Sequence, residues 1–204
     1  KNYTVIRLYA DIEPGARINA VYGNHHNPLE INVLNLHDNS GDIIYETAKF
    51  YQNYYGGHTS TTINQNLFEQ IPELEWDSFI TIGSLNSTNN ALINVGIDFT
   101  DFENGGILFT DNGSWFVTPG DVQGEAINGK VLLGQFTVSN GSTLSGSINL
   151  KGNDTYGNMW KKINATFSID TNIEQEEELD VFKNISYELI KQKILKNYTV
   201  LRLY

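Results

Sequence analysis

Apolar and polar positions alternate with a period of two along most of this chain, the spacing of half-buried strands. Residues 3–10 (YTVIRLYA) put Ile6, Leu8 and Ala10 on one face and Val5, Arg7 and Tyr9 on the other. The run is β-branched and aromatic, with no breaker, and reads as a strand. Residues 17–22 (RINAVY) and 29–36 (LEINVLNL) repeat the pattern, with Ile18, Ala20 and Tyr22, then Leu29, Ile31 and Val33, in phase. Residues 43–51 read as a strand or a strand pair. Residues 75–83 (EWDSFITIG) align Trp76, Ser78, Ile80 and Ile82. Shorter strands are expected at 91–99, 106–109 and 115–118. Residues 131–138 (VLLGQFTV) are apolar enough for a central place in a sheet. Residues 144–150 and 163–169 complete the β pattern.

Turn chemistry punctuates these runs: Pro14-Gly15, the polar stretch 37–42, Pro119-Gly120 and Asn140-Gly141. Residues 67–71 predict a single helical turn stopped by Pro72. Residues 53–66 are a long polar loop, and loops of that length usually carry a role. About eleven short strands without intervening helices predict a mainly β fold, an antiparallel β-sandwich of jelly-roll type.

The pattern changes after residue 170. Thr171-Asn172-Ile173-Glu174 has the form of a capping box. Acidic residues crowd 174–180 and Lys191, Lys193 and Lys196 crowd the end, as the helix dipole favours. At 100° per residue, Leu179, Val181, Phe182, Ile185, Leu189 and Ile190 share one half of a cylinder. Residues 172–195 are therefore expected to form an amphipathic helix, up to about 36 Å long at 1.5 Å per residue. Its apolar half needs a cover.

The next stretch is not new. Residues 196–204 (KNYTVLRLY) repeat residues 1–9 (KNYTVIRLY) with one change, Leu201 for Ile6. The offset of 195 residues marks one period of a repeat array followed by the first strand of the next. The domain reading follows: residues 1–170 a β-sandwich, 171–195 a helical linker, 196–204 the opening strand of the next repeat. Assembly residues are then Tyr198, Val200, Leu201 and Leu203 on the repeated strand, and Leu179, Phe182, Ile185 and Leu189 on the helix.

Composition narrows the partners. The formal charge is −11, and the 13 Lys and Arg are scattered. Nucleic acid needs a basic stripe, an anionic membrane surface would repel this chain, and no apolar run is long enough to span a bilayer. There is no Cys, so no disulfide assists the fold. Eight Asn-x-Ser/Thr acceptor sites occur, at Asn2, Asn86, Asn112, Asn140, Asn153, Asn164, Asn184 and Asn197. On a secretory route such sites sit on surface loops and carry sugar; an Asn-rich chain also makes such triplets by accident.

The segments YTVIRLYADIEPGARINAVYGN, FYQNYYGG, LEWDSFITIG, GIDFTDFENGG, NGSWFVTPGD and GKVLLGQFTV occur in that order across residues 3–150. As a set they resemble an uncharacterised β-sandwich repeat domain, loosely cohesin-like, of very large secreted or surface proteins of marine bacteria and of large algal viruses. The resemblance implies an extracellular or virion-surface place and carries no catalytic residues. The helix expected at 172–195 lies outside its pattern.

Candidate chemistry is sparse. Asp98, Asp101, Glu103 and Asp111, with Asn104, form an oxygen-rich stretch that suits a structural calcium, although Asp and Asn also serve turns. His25-His26 lacks zinc-ligand spacing. Tyr54 and Tyr55 in the long loop are candidates for stacking on a glycan; Trp76, Trp115 and Trp160 suit a core equally well. No nucleophile elbow, phosphate-binding loop or dinucleotide fingerprint occurs, so no enzyme activity and no cofactor beyond that calcium is expected. The sequence points to a structural repeat unit of an extracellular fibre or appendage, whose partners are neighbouring copies, or to a glycan-binding module of a large adhesin.

Overall fold

Runs dominated by Val, Ile, Leu and aromatic residues favour extended backbone, and each such strand must find hydrogen-bond partners elsewhere in the chain. In the computed structural model, which describes residues 3–37, 43–171 and 185–192, twelve strands do so. In chain order they are β1 (Tyr3–Asp11), β2 (Arg17–Gly23), β3 (Leu29–His37), β4 (Ile43–Thr47), β5 (Phe79–Ile80) and β6 (Ile93–Val95). β7 (Leu108–Thr110), β8 (Gly113–Phe116), β9 (Lys130–Ser139), β10 (Ser142–Asn153), β11 (Met159–Asp170) and β12 (Ile185–Gln192) follow. The mainly β expectation holds.

All of these pairings are antiparallel, and they make two sheets. A four-stranded sheet has the order β12-β1-β9-β5. An eight-stranded sheet runs β4-β3-β10-β2-β8-β6, with β11 paired to β10 and β7 to β3. One hydrophobic cluster draws on both sheets: Ile6, Leu8, Leu133 and Phe136 from the smaller, Ile18, Ile31, Trp115 and Leu144 from the larger. Trp115 Nε1 also donates to the Thr81 carbonyl, 3.0 Å away, just beyond β5. A second cluster, Ile63, Leu74 and Phe79, joins β5 to the 60–76 segment.

β10 is the spine of the larger sheet. Its first half pairs with β3 and its second half with β2. Asn149 sits where the pairing changes hands. Its buried Nδ2 donates to the carbonyls of Tyr22 and Asn27, both at 2.8 Å, and its Oδ1 accepts the Asn164 amide at 3.0 Å. Asn164 has φ +51°, at the register shift between β10 and β11.

Several expectations need correction. The helix expected at 172–195 is, over Ile185–Gln192, strand β12, paired along β1 from Tyr3↔Gln192 to Ala10↔Ile185. Residues 172–184 and 193–204 lie outside the described residues, and with them Leu179 and Phe182. Thr171, expected to cap that helix, directly follows β11. Its Oγ1 accepts the amides of Gly141 (2.9 Å) and Ser142 (3.0 Å) and so ties the end of β11 to the β9–β10 turn. The strand expected over 75–83 shrinks to Phe79–Ile80, because Pro72, with its preset φ and missing N–H, starts a 3₁₀ turn over Pro72–Trp76. Pro72 thus begins a turn instead of ending one; the turn before it is Gln65–Leu67. The strand expected at 91–99 is only Ile93–Val95, and a short helix, Thr100–Glu103, follows. The strand at 43–51 ends at Thr47, and Ala48 and Phe50 enter the core from irregular backbone.

Candidate functional site

The repeated stretch marks the place to look. In its first copy, Tyr3–Tyr9 belong to β1, which lies between β9 and β12 and pairs with both. One face of β1 is buried along its length, and the other is half-buried apart from Val5. Ile6, Leu8 and Ala10 enter the main core, and Thr4 and Val5 are also buried. Two side-chain bonds fix it to its surroundings: Thr4 Oγ1 donates to Asn140 Oδ1 at 2.7 Å, and Arg7 Nε to Gln135 Oε1 at 3.1 Å. The ring of Tyr3 meets that of Tyr51 at 5.6 Å, beside an open cleft of ≈ 570 Å³ lined by Phe50, Gln52, Glu103 and Ser139 among others.

Gln135 carries the contact onward. It is buried within β9, and its Nε2 donates to the carbonyls of Glu75 and Asp77, both at 3.0 Å. Asp77 is buried too. One carboxylate oxygen accepts the Asn53 amide at 2.7 Å and the other the Gly57 amide at 3.0 Å, so the 53–57 loop closes around it. The fit excludes a side chain at Gly56, where a Cβ would lie 1.7 Å from Asp77 Oδ2. Burial raises the Asp77 pKa to about 6, against the lowering effect of those amide bonds.

This loop displays Tyr54 and Tyr55, which are 94% and 57% exposed. Their rings stand edge to face at 90°, with centroids 5.3 Å apart, and make no shared flat platform. Trp115 is core, and Trp160 packs against the core.

The four carboxylates expected near a calcium are not brought together. Asp98 accepts both the amide and the hydroxyl of Thr100, which lowers its pKa. Glu103 bonds His58 at 2.6 Å, and the imidazole stacks on Phe99 with ring centroids 3.9 Å apart. Asp111 meets His25 at 3.0 Å, and Asp101 is exposed. Among the described residues no three His, Cys, Asp or Glu side chains gather as a metal site would require.

Of the Asn acceptor sites, Asn112, Asn140 and Asn164 are exposed, whereas Asn86 and Asn153 are half-buried. The Asn153 amide donates to the Gly157 carbonyl and the Asn164 amide to Asn27 Oδ1. Asn2, Asn184, Asn197, Tyr198, Val200, Leu201 and Leu203 lie outside the described residues. Ile185 and Leu189 stand on β12 opposite Ala10 and Ile6. No described helix is long and apolar enough to cross a membrane, which says nothing of strands.

Sequence reasoning missed Thr4, Arg7, Asp77, Gln135 and Asn140 as a connected set. One signal was present: a Gln inside the apolar run VLLGQFTV must find partners where it is buried. No family model, curated protein or solved structure matches this chain.

Proposed function

We propose that this chain is one structural repeat unit, a β-sandwich bead of cohesin-like layout, of an extracellular fibre, filament or surface appendage. The observation that carries the reading is the identity of the repeated stretch. Seven of the nine residues that recur, Tyr3–Tyr9, belong to β1, an inner strand of the smaller sheet and not a surface decoration. An inner strand with one face in the core is indispensable to its sheet, so the reappearance of its sequence at 196–204 supports a second bead opening there. Beads joined this closely, with neighbouring copies as partners, suit a load-bearing or display role and need no catalytic centre. The acidic charge keeps such an array soluble.

Electron microscopy of the native full-length protein tests this. A regular fibre with an axial repeat of one bead is the expected image; isolated single beads would overturn the reading. The second reading, a glycan-binding module of a large adhesin, rests on the exposure of Tyr54 and Tyr55 at the tip of a loop anchored by a buried carboxylate. A glycan array read with the chain and with Tyr54→Ala separates the two: ligand capture lost in the variant favours the adhesin.

A further inference from the structure

The position of β1 is a slot with two walls, β9 and β12, and a specific set of demands. It takes a ring at Tyr3, a hydroxyl at Thr4, apolar side chains at Val5, Ile6 and Leu8, and a guanidinium at Arg7. The chain holds a second segment that meets every one of these demands. Tyr198, Thr199, Val200, Leu201, Arg202 and Leu203 stand at the same spacing, and Leu201 for Ile6 is the one change. Ile and Leu have equal volume, a swap that cores tolerate. Whatever affinity the slot has for the first copy, it has nearly the same for the second.

The connection also permits the exchange. β12 ends at Gln192, opposite Tyr3. The counterpart of Tyr3 is Tyr198, which leaves residues 193–197 as the link, five residues, a common hairpin length. A chain that leaves β12 and turns back runs antiparallel to it, as β1 does. The short tether gives the second copy a high effective concentration at the slot, whereas the first copy must close a loop almost as long as the domain to reach β12.

We propose that the β1 slot is an exchangeable strand site, and that residues 196–204 of the same chain replace residues 1–9 in it by closing a hairpin with β12. The inference needs one chain only and goes beyond the fibre reading. In an array of such beads, the joint between neighbours would then move from residues 193–197 to residues 12–16.

Three deletions of the 204-residue chain test it: residues 1–9, residues 196–204, and both. Ala10 and Asp11 stay in place in each. Either single deletion is expected to leave a monomer that unfolds cooperatively, with midpoints within about 10 °C of each other; the double deletion should lose the cooperative transition. A chain lacking 1–9 that does not fold overturns the proposal, and so does a double deletion that still folds.

Occupancy is read separately with a disulfide. The chain has no native Cys, and Val5 pairs with Thr137 in the register of β1 and β9. Val200→Cys with Thr137→Cys, in the chain lacking 1–9, should cross-link within one molecule on oxidation. Val5→Cys with Thr137→Cys, in the chain lacking 196–204, is the positive control. Cross-links between molecules would mean that a second copy donates the strand. No cross-link while the control forms would place the second copy elsewhere, such as on the outer edge of β12. Either result overturns the proposal. Micrographs without fibres would sink the fibre reading and leave this one standing.

Discussion

Arg7 Nε lies 3.1 Å from Gln135 Oε1, and through this bond β1 is coupled to the loop that carries Tyr54 and Tyr55. Gln135 passes the connection to the carbonyls of Glu75 and Asp77, and Asp77 holds the amides of Asn53 and Gly57. An inner strand and an exposed loop thus share one buried polar network.

Gln135→Leu should be among the costly substitutions in this chain. It removes one acceptor and two donated bonds from a buried site, leaving the Glu75 and Asp77 carbonyls without that partner. At about 1–3 kcal/mol for each buried group left unsatisfied, the expected loss is on the order of 3 kcal/mol. Arg7→Ala, at a half-buried position, should lose about 1 kcal/mol. Urea unfolding of both variants checks this; equal small losses would show that the network is not stabilising.

Asp77 should give the fold a pH dependence opposite to that of a salt-bridged carboxylate. Its folded pKa, about 6, lies above the ordinary 3.8. Between these values the unfolded chain has released the proton and the folded chain still holds it, so stability falls as pH rises from about 4 to about 6. The shift of roughly two units corresponds to on the order of 3 kcal/mol, absent at pH below 3.8 and complete above about 6. Asp77→Asn removes the titration and sacrifices one amide acceptor. The variant should therefore be less stable than the parent at pH 4 and recover relative to it by pH 7. Parallel stability profiles would refute this.

Asn149→Ala should destabilise by about 2–4 kcal/mol, because the carbonyls of Tyr22 and Asn27 and the amide of Asn164 each lose their partner at one seam of the sheet. Hydrogen exchange gives the sharper check. Amides at the β2–β10–β3 junction should lose protection first, and uniform loss across both sheets would contradict a local seam.

Much of the β organisation was legible because alternation reports burial directly. Residues 3–10, 17–22, 29–36 and 131–138 are strands within a residue or two of where the pattern puts them. Asp77 and Gln135 were not legible as a site. They lie 58 residues apart and meet where the Gln135 side chain reaches the Asp77 backbone carbonyl, a group that carries no residue identity.

The chain's own pattern determined the mainly β class, the breakers between strands, and the recurrence of one nine-residue stretch at 196–204. Only the tertiary structure decided which strands became neighbours and what the ambiguous stretches became. In ISYELIKQ, Ile185 and Leu189 are four apart and fit a helix, while Ile185, Tyr187 and Leu189 are two apart and fit a strand. Local spacing does not choose between them. Pairing along β1 does, because a strand there satisfies both backbones, and the register places those residues opposite Ala10, Leu8 and Ile6. Periodicity records that a face is buried; the identity of what buries it is a long-range fact that the fold alone supplies.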